Sequence, residues 1–202
     1  MKNYQRFRTF VGTLSTLVEL HGANESQLPQ DGGALLGELV KNDDWLPAEA
    51  GLISAAGYRQ YLLHCDARER FSVVSFVCGP GQKTPIHDHT VWGLVGVMRG
   101  AEQCEEYDWP SAGRPMIAKA THRIGPGQVD QVSPTIGDIH VVANAYTDRA
   151  SISIHVYGAN IGAVQRPVFD AATGAIKKFV SGYHNASLPN FWDRSIEVVG
   201  SQ

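Results

Sequence analysis

The chain has 202 residues, with 17 Lys+Arg against 20 Asp+Glu and a formal charge of −3. That length suits one ordinary domain with no need of disulfide staples. Its 43% apolar and 18% charged residues describe a globular rather than a disordered chain. The charge balance speaks against a nucleic-acid partner, and no apolar run approaches the ~20 residues that span a bilayer. Met1–Phe10 lacks the apolar h-region of a secretory signal. Cys65, Cys78 and Cys104 form an odd set without a CxxC, which fits a reducing cytoplasm.

In chain order, Phe7, Phe10, Val11, Leu14, Leu17 and Val18 recur at helical spacing and predict a helix ending near Gly22. Asn24–Gly33 reads as turn, Leu35–Val40 as a shorter helix and Pro47–Ala56 as a third, with Trp45 in the core or on a lid. From Gly57 the texture becomes β. The predicted strands are Tyr58–Leu63, Phe71–Val77, Val91–Met98, Cys104–Trp109, Met116–His122, Asp138–Ala143 and Ser151–Tyr157. Pro167–Asp170 and Ala175–Val180 add edge candidates. Short strands punctuated by Gly-Pro and Ser-Ala-Gly turns imply an antiparallel sandwich or barrel. The expectation is a mainly β (α+β) chain forming one domain over residues 1–202. Residues 1–56 would be helical, 57–180 a barrel and 181–202 a tail.

His87-Asp88-His89 is the first chemical feature. On a strand, side chains at i and i+2 share a face with Cα atoms ~7 Å apart, so two imidazoles can reach one metal. The same pair would also suit a solvent-facing strand. Ser151–Tyr157 alternates strictly, placing Ser153, His155 and Tyr157 on one face. Alternation alone fits a polar lumen or a half-buried strand turned to water.

Gly81, His87, His89 and Gly100 follow the first motif of the cupin β-barrels, and Gly137-Asp138-Ile139-His140 through Asn144 resembles the second. Pro134 stands one residue further from Gly137 than in the usual pattern, and Gly93-Leu94 occupy the place of the motif-one glutamate. The implied site is three neutral imidazoles without a carboxylate, a set open to iron or zinc. Adding Ser153-x-His155-x-Tyr157, the chain resembles the cysteine dioxygenase (thiol dioxygenase) family from Tyr58 to Phe179. The resemblance implies a cupin jelly-roll β-barrel with N-terminal packing helices. It also implies Fe(II) held by His87, His89 and His140, and O₂ added to a small thiol carboxylate to give a sulfinate. Ser153, His155 and Tyr157 would orient substrate and oxygen. Such chemistry suits a cation, beside which a thiol ionises below its usual pKa of ~8.5.

Two departures bear on cofactor and substrate. The family's thioether-forming cysteine is replaced at or beside Gly93, so no Cys–Tyr cofactor on Tyr157 is expected. The arginine that clamps a cysteine carboxylate is replaced by Gln60, which offers an amide instead of a charged fork. The glutamine-type bacterial relatives favour 3-mercaptopropionate and carry a later arginine, a place that Arg166 fits. L-cysteine and mercaptosuccinate stay open as substrates. The competing reading is a non-catalytic metal cupin or small-ligand sensor, with a zinc or manganese isomerase behind it. His21, His64, His122 and His184 read as structural, Asp88 as facing away from the ligands, and Glu105-Glu106 as solvated. No membrane, nucleic-acid or obligate protein partner is evident.

Overall fold

A computed structural model describes residues 3–21 and 27–191. Its elements are helices α1 (Tyr4–His21) and α2 (Leu28–Val40), a 3-10 turn at Ala48–Gly51, and strands β1 (Arg59–Cys65), β2 (Ser72–Cys78), β3 (Ile86–His87) and β4 (Gly93–Arg99). The chain continues through β5 (Glu102–Asp108), β6 (Ile117–Ile124), β7 (Val129–Val132) and β8 (His140–Asn144). Last come β9 (Ser151–Tyr157), β10 (Arg166–Phe169) and β11 (Ile176–Phe179).

Strands β1-β2-β9-β4-β7 form one sheet and β11-β10-β3-β8-β5-β6 the other, with every named pair antiparallel. This is the mainly β cupin fold, a double-stranded β-helix, with two N-terminal helices packed on it. The central strands of the first sheet, β2, β9 and β4, are buried on both faces, while β1 and β7 at its edges are partly exposed. Ile152, Ile154 and Val156 of β9 join Phe7, Phe10, Leu14, Leu36 and Trp45 in the core beneath the helices. Ser153, His155 and Tyr157 alternate with them toward the lumen, so the polar face of β9 meets a cavity and not bulk water. The second sheet exposes much of β5 and β6.

Helix α1 forms because its apolar stripe buries Phe7, Phe10, Val11, Leu14 and Val18. Each such side chain contributes about 1.5–3 kcal/mol on burial. Helix α2 approaches the sheet through glycine. A Cβ on Gly96 of β4 would lie 2.9 Å from Leu36 Cγ, so the missing side chain is the seat of Leu36. Gly100 turns β4 into β5 at φ +71°, and a Cβ there would meet the Ala150 carbonyl at 2.7 Å.

Several expectations differ from the structure. Pro29, Asp31, Gly32 and Gly33 belong to α2 and not to a turn, because proline fits the first helical turn and Gly32 lets the helix approach Leu94. Gly22 and the rest of 22–26 lie outside the described residues, as do 192–202 of the tail. The third helix shrinks to the 3-10 turn. Pro47 and Leu52 bound it in extended conformations, and Leu52 and Ile53 are exposed, so no apolar stripe holds a longer helix. Trp45 is core, stacked on Phe7. Strand β7 carries little apolar signal and was not among the expected strands. From residue 181 the tail caps the free edge of β1, where Asn185 pairs with the Leu62 backbone through both side-chain atoms.

Candidate metal centre

His87 and His140 face each other across the β3–β8 ladder. His89 lies two residues past His87, beyond the end of β3, so strand geometry alone does not aim it. The aim comes from Asp138. Its Oδ1 accepts His89 Nδ1–H at 2.7 Å, and its Oδ2 accepts the backbone N–H groups of His89 at 2.7 Å and Thr90 at 2.9 Å. Thr90 is held at φ +59°, a strained conformation for a β-branched residue. Asp138 was legible only as a motif letter two residues before His140. Its role as the orienting carboxylate was missed.

One ring nitrogen from each of His87, His89 and His140 lies within 4.8 Å of the others. His87 Nδ1 donates to the Pro85 carbonyl at 3.0 Å, so in both His87 and His89 the Nε2 lone pair is left for a ligand. Burial pulls His87 down to about 4 and holds His89 and His140 well below their ordinary values. Three buried, neutral imidazoles with converging lone pairs fit a divalent metal ion. Burial also raises the Asp138 carboxyl, while its backbone hydrogen bonds pull it back.

Beside the histidines lies a small cavity, with about 10 Å³ open to the centre of a water molecule. Gln60, Arg166, His155 and Tyr157 line it together with all three histidines, and Tyr58, Phe76 and Phe179 form apolar wall. Ser153 stands behind His155. The Tyr157 hydroxyl is 2.7 Å from His155 Nδ1, and His155 Nε2 is 2.7 Å from Ser153 Oγ. The hydroxyl also lies 3.3 Å from His89 Nε2, so Tyr157 borders the metal position. Burial drives the Tyr157 phenol far up and His155 down to about 3, leaving both neutral.

Arg166 is only 2% exposed, yet it makes no ion pair among the described residues. Its guanidinium lies 4.9 Å from the Phe179 ring centroid and donates to Ser181 Oγ at 2.9 Å, while Nε has no partner. Gln60 Oε1 is likewise buried without a partner. Arg59, by contrast, turns away and donates to Ser54 Oγ at 2.6 Å.

Gly93 pairs with Tyr157 in the β4–β9 register, and a Cβ there would lie 3.0 Å from Tyr157 Cδ1. No sulfur atom is available from that position. His122 of β6 pairs with Asp130 of β7. It lies 2.8 Å from Asp130 Oδ2, and Cys104 also falls within ligand distance of this pair. Burial pushes the Cys104 thiol up to about 12, so the cluster offers a thiol where metals prefer a thiolate. Asp88 keeps a buried Oδ1 without a partner, and burial lifts its carboxyl to about 6.

No protein-family model matches this chain. Among solved structures it is similar to an uncharacterized conserved protein with a double-stranded β-helix domain from Klebsiella pneumoniae. That match has 14% identity and a TM-score of 0.44, covering 64% of this chain and 90% of the other. It is also similar to an oxalate oxidase in complex with the substrate analogue glycolate, at 16% identity and TM-score 0.41 over 52% of this chain. The chain spans about half the length of that protein, 53%. A DMSP lyase from Ruegeria pomeroyi matches at 13% identity and TM-score 0.41, covering 59% of this chain and 57% of that one. Among the described residues, no helix is long and apolar enough to cross a membrane. The chain's own geometry establishes a cupin-type fold around a buried three-histidine site suited to a divalent metal.

Proposed function

We propose that the chain is an Fe(II)-dependent thiol dioxygenase that converts a small thiol carboxylate to its sulfinate, with 3-mercaptopropionate as the favoured substrate. The observation that carries this reading is Arg166. A guanidinium buried without an anion is costly, and a carboxylate in the adjoining cavity supplies the missing partner. With the carboxylate on Arg166, the sulfur of a short thiol acid can extend toward the histidines. Gln60 adds a neutral amide to the same wall, without the second positive charge that an arginine there would bring. Tyr157 borders both the metal position and the cavity, where its hydroxyl can orient bound substrate, and His155 with Ser153 fixes that hydroxyl.

Iron bound by His87, His89 and His140 would supply the cationic centre that favours thiolate over thiol and the redox chemistry with O₂. The absence of a carboxylate among the ligands suits an anionic sulfur, since the charge of the ion is not already offset. The decisive experiment supplies Fe(II)-loaded protein with 3-mercaptopropionate, L-cysteine and mercaptosuccinate. Oxygen uptake and sulfinate formation are then followed together. Uptake matched by sulfinate, greatest with 3-mercaptopropionate, supports the proposal. Metal binding without thiol-dependent uptake returns the protein to a non-catalytic cupin or sensor.

A further inference from the structure

Behind Tyr157 the wall of the cavity continues into a line of hydrogen bonds that ends on Glu102. Ser153 Oγ, already bonded to His155, lies 2.9 Å from Glu102 Oε1, and Ser151 Oγ reaches the same oxygen at 3.0 Å. Glu102, Ser151 and Ser153 have no exposed surface, and His155 and Tyr157 have almost none. Glu102 opens β5 immediately after the Gly100 turn, opposite Ile124 on β6 and Asn144 on β8. Nothing in the local sequence marks it, because Glu102-Gln103-Cys104-Glu105-Glu106 reads as a polar strand. Only the packing of β5 across from β9 turns this one carboxyl into the barrel.

A buried carboxyl is retained when something holds it, and Glu102 is only half held. Two hydroxyls serve Oε1, Oε2 has no protein partner, and no lysine or arginine forms an ion pair with it among the described residues. The groups that face it are neutral. They are Cys78 on β2, held up at about 11, Cys104 on β5, held up at about 12, His155, Tyr157 and the amide of Asn144. Burial lifts the Glu102 carboxyl to about 7, against the lowering effect of the two serines. Such a group gains or loses a proton at modest cost near neutral pH.

We infer that Glu102 is the buried proton acceptor of this site, joined to the cavity through Ser153, His155 and Tyr157. The proton released when a thiol binds as thiolate is thereby kept inside the protein. The inference takes only the identity of the proton donor from the proposed function. The transfer balances bond by bond. The thiol S–H passes its proton to the Tyr157 oxygen, and the Tyr157 O–H proton moves to His155 Nδ1. His155 Nε2–H moves to Ser153 Oγ, and the Ser153 proton moves to Glu102 Oε1. One thiol becomes a thiolate and one carboxylate becomes a carboxylic acid. The three residues between keep their proton count, the His155 tautomer inverts, and no electrons are exchanged. Glu102 touches neither substrate nor metal ligands, so it acts through Ser153.

The test counts protons. Anaerobic Fe(II)-loaded protein is titrated calorimetrically with 3-mercaptopropionate in buffers of different ionisation heat. The pH lies between the Glu102 value of about 7 and the ~8.5 of a free thiol. Wild type is expected to release far less than one proton per thiol bound. Glu102→Gln, whose amide oxygen still accepts both serines, is expected to release about one, as is Ser153→Ala, which breaks the line but spares Glu102. Equal release from all three proteins overturns the inference. Infrared difference spectra supply the second readout, in which thiol binding raises a protonated-carboxyl band in wild type that Glu102→Gln lacks. If no thiol binds at all, the thiol reading fails and a pH titration of the metal-free protein decides. A carboxyl band titrating near neutrality and absent in Glu102→Gln sustains the proton acceptor. No such band between about pH 5 and about pH 9 removes it.

Discussion

Asp138 holds His89 from two sides, accepting the imidazole Nδ1–H at 2.7 Å with one oxygen and the backbone N–H at 2.7 Å with the other. One carboxylate therefore sets both the tautomer and the backbone position of a metal-binding histidine that lies beyond its strand. Such orienting partners typically govern metal affinity by 10–100-fold. Asp138→Asn can turn its amide nitrogen toward Nδ1 and reverse the tautomer. It is expected to weaken metal binding by about that factor, measured by competitive chelator titration. Unchanged affinity would show that His87 and His140 alone fix the site.

Arg166→Ala removes the buried guanidinium from the cavity. Charge-assisted hydrogen bonds contribute about 1.5–3 kcal/mol, so KM for 3-mercaptopropionate is expected to rise about 10–150-fold. A thiol without a carboxylate, such as 2-mercaptoethanol, is expected to lose nothing. Comparing KM for the two thiols in wild type and variant checks this directly, and a parallel loss for both would dissociate Arg166 from the carboxylate.

Tyr157→Phe keeps the ring stacked on His89, whose centroid lies 4.9 Å away, and removes only the hydroxyl. The fold and metal content are expected to persist. Turnover is expected to fall about 10-fold or more, on the scale of one charge-assisted hydrogen bond, with less sulfinate formed per O₂ consumed. Steady-state rates with paired oxygen and product measurements read both effects.

Stability of the metal-free protein is expected to peak near neutrality. His87 and His155 titrate at about 4 and about 3 in the fold, below their ordinary 6.5. Their contribution is therefore complete above pH 6.5 and is lost as pH falls through the folded values. Glu102 shifts the opposite way, from 4.5 to about 7, so its contribution is complete below pH 4.5 and is lost as pH rises through about 7. Each group changes stability by about 1.4 kcal/mol per pH unit within its window. Urea unfolding across pH detects both effects, and Glu102→Gln is expected to steepen the rise in stability between pH 4.5 and about 7.

Gly158 follows Tyr157 directly at the end of β9, and the packing explains the glycine. A Cβ there would lie 2.2 Å from Trp92 Nε1, and Trp92 is buried. Gly158→Ala is expected to cost about 1–3 kcal/mol through overpacking, visible as a lower urea midpoint, while metal binding survives.

The sequence by itself determined the β texture from Gly57 onward, the apolar stripe of α1 and the three metal-directed histidines. These signals are local. Period-two alternation and i, i+3, i+4 spacing state which face is apolar, and a histidine motif states which side chains carry lone pairs. The tertiary structure decided what each face meets. The β9 pattern fits water or a lumen equally until helices cover one side and a second sheet covers the other. Pro29, Gly32 and Gly33 read as a turn until Leu94 of β4 packs closely against Gly32 of the helix. Asp138 and Glu102 gain meaning only from residues 49 and 51 positions away, His89 and Ser153 respectively. Among eight histidines in a mildly acidic chain, motif singled out the three whose ring nitrogens the fold brings within 4.8 Å of one another. Burial made them neutral, and a distant carboxylate aimed one of them.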